Sequence, residues 1–487
     1  MQTIIRLPAV ALAISFLFVA LPSDAQAPLA FTHATVIDIQ TGSLTRNATI
    51  VIELDHIVAV SQTAKVPPSA SVVDLSGRFV IPGLWDMHAH PLYTADRPER
   101  MFRMLLANGV TGVRDLGSLM PVPEALAWRD KVNSGAVLGP RVVAAGKIVD
   151  GPIPVFPNSI PVGTAEQGRE IVHTLKNQGV GLIKVYSRLP REAYFAIADE
   201  AKKEGIPFVG HTPIFISASE AATAGQRSIE HLSEILFACS SKESELRKEL
   251  IDSAIGDARN RVRRDQTKVV VDTFSEAKAQ QLTALFRQHD TWQVPTLNIQ
   301  YTYAYVDPYT LHDFPGTRYV PAEMIDGWAD RVAGFRKIRD EQDMQAQRRS
   351  YELEIHLVQM MHKAGVHFMT GTDAETFYPA GFCLHMELAL FVGAGFTPLE
   401  ALQAATLNPA KYLGRTKDLG TVEVGKLADL VILEANPLEQ IENTGRIAGV
   451  VTAGRYLSRE KLNQLLSEAA DLARGTSQQP SQMPGVK

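Results

Sequence analysis

The nine residues Pro82-Gly83-Leu84-Trp85-Asp86-Met87-His88-Ala89-His90 decide how the rest of the chain is read. A Pro-Gly turn opens the stretch, apolar residues follow, and two histidines spaced two apart close it. Side chains two apart on a strand share a face, so His88 and His90 can converge on one ion at the strand's exit. Ligands gathered at C-terminal strand ends are a property of parallel barrels.

Outward from that stretch, residues 82–414 alternate short β-rich runs with helical patterns, as parallel β/α units do. The expected strands are 83–88, 112–115, 141–145, 182–186, 207–211, 228–231, 292–297 and 366–373, with helices over 166–177, 191–204, 217–224 and 275–289 among them. Such a series predicts an α/β chain folded as a (β/α)₈ TIM barrel. An open doubly wound sheet is disfavoured, because no Gly-x-Gly-x-x-Gly turn follows the first strand. Short β-rich runs lie on both sides of the barrel, at 31–39, 49–60 and 71–75 and again at 420–424, 428–433 and 447–452. Neither set is long enough for a two-layer core, so residues 26–81 and 415–456 are expected to meet in one small β-sandwich. Residues 457–487 read as a terminal helix and a flexible tail rich in Gln, Ser and Pro.

The first 25 residues have the texture of a signal peptide: Arg6, an apolar run over 7–21, then Ser23-Asp24-Ala25. The expected product is exported, periplasmic in a two-membrane bacterium and otherwise secreted, with no stable membrane span after signal cleavage. The full chain has 487 residues, 45% hydrophobic and 21% charged, which excludes disorder over its whole length. A net charge of -5 without any Arg/Lys stripe argues against a nucleic-acid partner. Two cysteines, Cys239 and Cys383, cannot build a disulfide scaffold or a thiolate metal site. One pair and two separate thiols remain alternatives, and a homo-oligomer remains open.

Four further residues fall at or near the ends of different expected strands: Lys184, His211, His231 and Asp373. Taken singly, each histidine could be a core residue satisfied by a carbonyl, and Asp373 a helix cap. Lys184 is harder to explain, because an unpaired ammonium inside a barrel is expensive. It needs an acidic partner or conversion to an anionic carbamate. Together with His88 and His90 these residues are hard to attribute to packing.

The chain resembles the amidohydrolase superfamily, in its binuclear branch with prolidase-like and imidazolonepropionase-like members. The resemblance rests on the block at 82–90, on Thr111-Gly112-Val113-Arg114-Asp115, on Ile183-Lys184-Val185 and on His211. It continues through Ser228-Ile229-Glu230-His231, Gly371-Thr372-Asp373 and the closing run Leu419-Gly420-Thr421-Val422-Glu423-Val424-Gly425-Lys426-Leu427-Ala428-Asp429-Leu430. It implies two divalent metal ions, Zn²⁺ or similar. His88, His90 and Asp373 would hold the buried ion and His211 and His231 the more exposed one. Lys184, carboxylated by CO₂ to a carbamate, would bridge them beside a hydroxide. The implied reaction is hydrolysis of a C–N amide or peptide bond by hydroxide attack, with Asp373 as general base.

The expected substrate is a small-molecule amide or peptide: an N-acyl amino acid or a dipeptide with a bulky apolar group. A cyclic amide opened as in imidazolonepropionases, a lactone, and a non-catalytic binding protein are the alternatives. Many prolidase-like relatives have His-Ala-Tyr after the fifth strand, whereas this chain has His211-Thr212-Pro213 and so lacks that phenol. Tyr186 could donate its hydroxyl to the substrate, and candidate replacements for the missing grip are Arg188, Arg191 and the pair His385 and Arg114. The insertion 237–268 and the tyrosine-rich loop 301–319 are expected to cover the site, with Tyr303 and Tyr305 lining an aromatic pocket. A long polar helix over 329–363 is expected to follow, its Arg348-Arg349 pair facing solvent.

Overall fold

In the computed structural model, which describes residues 27–476, the middle of the chain winds into a barrel. Its first three strands, Leu84–Ala89, Val110–Asp115 and Arg141–Ala144, pair in parallel. The third bends at Gly146, where φ is 75°, and resumes as Ile148–Asp150. That continuation pairs in parallel with the fourth strand, Ile183–Val185. Phe208–Gly210, Ser228–Glu230 and Trp292–Val294 follow in order, all parallel.

The expected eighth strand is an irregular run that closes the barrel through backbone bonds. Gln293 N donates to His367 O at 2.9 Å and Met369 N to Gln293 O at 3.0 Å on one side. On the other, Met87 N donates to Thr370 O at 2.9 Å. The irregularity has a steric cause, because a Cβ at Gly371 would stand 2.7 Å from the Cβ of His88. The chain therefore passes closer to the first strand than a side chain would permit.

Helices fall where the pattern places them, with ends set by local chemistry. Ala165–Gln178 starts in a Thr164/Gln167 capping box and stops at left-handed Gly179, and Arg191–Glu204 stops at left-handed Gly205. Three readings need correction. The long helix over 329–363 is two helices, Ala322–Lys337 and Glu341–Lys363, because Asp340 caps a fresh start. The loop after the seventh strand begins with a helix, Leu297–Tyr305. Residues 420–424 form turns rather than a strand.

Strands from the two flanks of the barrel form one mixed eight-stranded sheet around a separate core that includes Phe31, Ile50, Val80, Leu430, Ile432 and Val451. The run 49–60 is a hairpin of Leu44–Glu53 against His56–Ser61. The seam between the flanks is the antiparallel pairing of Phe79–Pro82 with Leu430–Leu433, in which Val80 faces Ile432. Phe79–Pro82 leads through Gly83 straight into the first barrel strand, and Gly83 N donates to Asp429 O at 2.7 Å. The Asp429 carboxylate accepts from Arg141 of the third barrel strand at 2.5 Å, so the sheet is tied to the barrel floor twice. The helix Arg459–Thr476 lies along Arg97–Ala107, with Leu462, Leu465 and Ala469 buried. The expected signal peptide, and the tail beyond residue 476, lie outside the described residues.

Candidate metal centre

All four histidines stand at strand exits on one cavity, and in each the Nδ1 atom is occupied. His88 Nδ1 donates to Glu230 Oε2 at 2.9 Å and His90 Nδ1 to Gly117 O at 3.0 Å. His211 Nδ1 is hydrogen-bonded to Ser187 Oγ at 3.0 Å and His231 Nδ1 to Thr296 Oγ1 at 2.6 Å. In His88 and His90 the partner can only accept, so Nδ1 carries a proton; an occupied Nδ1 is the arrangement found around metal-ligating histidines. Three of the Nε2 atoms point at one carboxylate. Asp373 Oδ1 is 3.2 Å from His90 Nε2 and 3.9 Å from His88 Nε2, and Oδ2 is 4.0 Å from His231 Nε2. The rings of His211 and His231 lie 4.9 Å apart.

Backbone strain brings these groups together. His231 has φ 58° and Asp373 φ 50°, values that non-glycine residues adopt at a cost of about 1–3 kcal/mol. On a regular strand Glu230 and His231 would face opposite ways. The left-handed kink lets both approach His88, whose ring centroid is 4.4 Å from that of His231.

Lys184 lies on the fourth strand, 1% exposed, and its Nζ has no hydrogen-bond partner. Burial pulls its ammonium down to about 8, against the opposing fields of Glu230 and Asp373. For Asp373, burial works upward, but the His90 hydrogen bond and the charges of His88, His90 and His231 hold the carboxyl well below its ordinary range. Burial likewise depresses His231 to about 4 and His88 and His211 well below their usual value, which keeps these three imidazoles neutral and able to bind a metal, whereas His90 is raised, burial being outweighed by its hydrogen bond to Asp373 and the charge of that carboxylate.

Behind the histidines lies a buried polar network. Glu230, fully buried, also accepts from Arg114 Nη2 at 2.8 Å and from Ser228 Oγ at 2.6 Å. Arg114 Nε donates to Met87 O at 2.6 Å. Asp86 accepts from the backbone N–H groups of His88 and Thr372, both at 3.1 Å, joining the first strand to the eighth run. Burial raises the Asp86 carboxyl to about 7. Glu230 and Asp86 were not assigned from sequence. Asp86 shares the strand face of His88, and Ser228 and Glu230 share another by the same period of two.

The cavity above the histidines measures about 920 Å³. Tyr186 and Tyr303 line it, as do Phe156, Phe335 and residues 257–264 of the insertion after the sixth strand. Tyr186 lies against His211, ring centroids 4.0 Å apart, and Tyr303 against Phe335 at 4.5 Å. The other substrate candidates are placed elsewhere. Arg114 is fully buried in the Glu230 network. His385 is on the helix Phe382–Gly393, hydrogen-bonded to Thr444 at 3.0 Å. Tyr305, 39% exposed, is on the outer face of its helix beside Tyr301 and Tyr351, because two residues along a helix turn the side chain to the far side. Arg188 donates to the carbonyls of Ile153 and Pro154, and Arg191 pairs with Glu220 at 2.6 Å. Cys239 and Cys383 are both free and buried.

Among the described residues, two groups of His, Asp and Glu can each surround one ion. His88, His231 and Asp373 offer donor atoms within 4.8 Å of one another at the cavity floor, so His231 joins the set expected for the buried ion. His173, Glu200 and Glu204 form the second, on the outer helices, where Lys203 and Lys176 already bind the two carboxylates.

A barrel with such a histidine–carboxylate floor and a closing sheet is the architecture of metal-dependent hydrolases. Residues 336–457 match the amidohydrolase family profile. An imidazolonepropionase of Pyrobaculum arsenaticum is 45% identical over 75 residues, 15% of this chain and 18% of that one. The ochratoxinase of Aspergillus niger is 42% identical over 81 residues, 16% of each chain. These curated relatives are thus matched over less than a fifth of their length. A candidate prolidase of Bifidobacterium longum has the same fold nearly throughout, at TM-score 0.65 and 25% identity, covering 91% of this chain and 99% of the other. The chain thus carries an amidohydrolase-family match over residues 336–457 on a fold that it shares nearly throughout with that candidate prolidase.

Proposed function

We propose that the protein is a metal-dependent hydrolase of C–N bonds in small organic molecules, acting on an N-acyl amino acid or a dipeptide with a bulky apolar group. The observation that carries this reading is the convergence of three histidine Nε2 atoms on Asp373 beside the partnerless Nζ of Lys184. The residues fit two divalent ions, with Zn²⁺ the proposed metal. His88, His90, His211, His231 and Asp373 supply nitrogen and anionic oxygen donors, as such ions require. Lys184, with its ammonium lowered to about 8, is neutral often enough near pH 8 to react with CO₂, and the carbamate removes an otherwise orphaned buried amine.

The bound metals would supply Lewis acidity toward the scissile carbonyl and a water that ionises near neutral pH. Asp373 then takes the proton of the attacking water and delivers it to the departing nitrogen. Its carboxylate is suited to both tasks, since Oδ1 is anchored by His90 and Oδ2 faces no closer donor than His231 at 4.0 Å. Tyr186, beside His211 in the cavity lining, would offer its hydroxyl to a bound substrate. Tyr303 and Phe335 would give the apolar group an aromatic wall of two tilted rings.

Support for a cyclic amide as second substrate class comes from the local identity with imidazolonepropionases. A panel varying acyl side and amine side separately, with ring amides and lactones included, tests the reading on protein of measured metal content. Turnover of linear amides with two metals per chain is expected. Two bound metals with no hydrolysis of any member would leave a binding protein. For residues 1–25 we propose an export signal, tested by N-terminal sequencing of the mature protein from its host.

A further inference from the structure

The cavity rim is rich in arginine, and most of these guanidiniums are already engaged. Arg97 lies 3.7 Å from Glu375, Arg264 pairs with Asp265 at 3.0 Å, and Arg339 covers the Phe335 ring at 3.4 Å. Arg331, like exposed Arg261, has no such close partner among the described residues. It projects from Ala322–Lys337 into the cavity lining, its guanidinium 5.7 Å from the ring centroid of Phe377, and among the described residues it forms no ion pair. Asp330 and Asp257 share the rim without pairing to it. Arg331 lines the same cavity as His88, His90, His231 and Asp373.

An arginine left without a carboxylate inside a partly dry cavity is a ready anion site, since its planar fork binds carboxylates in two parallel hydrogen bonds. We infer that Arg331 forms the anion subsite of the cavity and holds the carboxylate of the substrate, with exposed Arg261 across the rim adding long-range attraction. This inference rests on the amide-hydrolase reading and narrows it to acidic amides. It also accounts for the absence of a tyrosine after His211, because the grip comes instead from a helix outside the repeating β/α units.

The test compares N-benzoylphenylalanine with N-benzoylphenethylamine, which lacks only the carboxylate. Wild-type protein should favour the acid roughly 10- to 100-fold in kcat/KM, the range of a charge-assisted hydrogen-bonded pair. Arg331→Ala should bring that ratio toward one, Arg331→Lys should keep part of it, and Arg348→Ala, on an outer helix, should leave it intact. Melting temperature and metal content are measured on each variant. A wild-type ratio near one, or an undiminished ratio in Arg331→Ala, would overturn the assignment. Should neither compound be hydrolysed, the wider amide panel decides the amide-hydrolase reading separately, and calorimetric dissociation constants for the same pair decide the subsite by the same ratios.

Discussion

Asp373 combines three properties in one side chain: a left-handed backbone, a carboxyl held in its anionic form, and proximity to three imidazole nitrogens. Replacing it with Asn should lower kcat by at least about 10²-fold, the lower bound for losing general-base transfer. Metal content must be read on the same sample, and near-normal turnover with two metals bound would remove Asp373 from proton transfer. Glu230 bears on the centre from behind. Glu230→Gln leaves buried Arg114 without its counter-charge, which should cost about 3 kcal/mol or more in stability. It also loosens the tautomer lock on His88, so metal affinity should fall roughly 10- to 100-fold. Chemical denaturation and competitive chelation measure the two effects, and unchanged affinity would mean that His88 is held by packing alone. The histidines, Lys184 and Asp373 were legible because each sits where a strand pattern ends. Glu230 was not, since alternation along a strand turns it away from its neighbour, and only the positive φ of His231 reverses that. Arg114 and His385 misled for the converse reason: nothing local reveals that a charge or a ring is consumed by a buried partner.

At the scale of elements, Leu297–Tyr305 decides which tyrosines can meet a substrate. Read as a loop, the segment offered both Tyr303 and Tyr305 to the cavity; as a helix it turns one in and the other out. Tyr303→Ala should therefore shift the preference for acyl groups, lowering kcat/KM for aromatic acyl amides about tenfold, equivalent to losing roughly two buried methylenes. Tyr305→Ala should leave the profile flat against wild type. Equal effects would place the selective wall elsewhere. The strand order and most helix limits were readable from apolar spacing and glycine stops. The break at Asp340 and the barrel's eighth run were not. A capping aspartate inside a polar helix looks like any surface residue, and the eighth run owes its shape to Gly371 passing His88, a contact between distant parts of the chain.

Acid sensitivity belongs to the whole molecule. His385, outside the metal centre, is buried and depressed to about 4, with burial the dominant cause. Its pKa is lower folded than unfolded, so the stability it contributes is fully present above about 6.5. That contribution is lost as pH falls through the window from about 6.5 to 4, at up to roughly 1.4 kcal/mol per pH unit. Melting temperature should drop over that range in metal-free protein, and His385→Gln should flatten the slope. An unchanged slope would show that the ring takes up its proton equally in both states. Among the described residues no helix is long and apolar enough to cross a membrane.

The seam between Phe79–Pro82 and Leu430–Leu433 also governs how the molecule can be made. On the ribosome Phe79–Pro82 emerges before the barrel, yet the partner that satisfies the open backbone edge of Val80 and Ile81 arrives only after the whole barrel has been made. Until then that edge is a template for pairing with any other nascent chain. The clasp thus makes completion of the polypeptide a condition for a finished sheet. A message truncated after the barrel would yield a protein that keeps its histidines and still clumps.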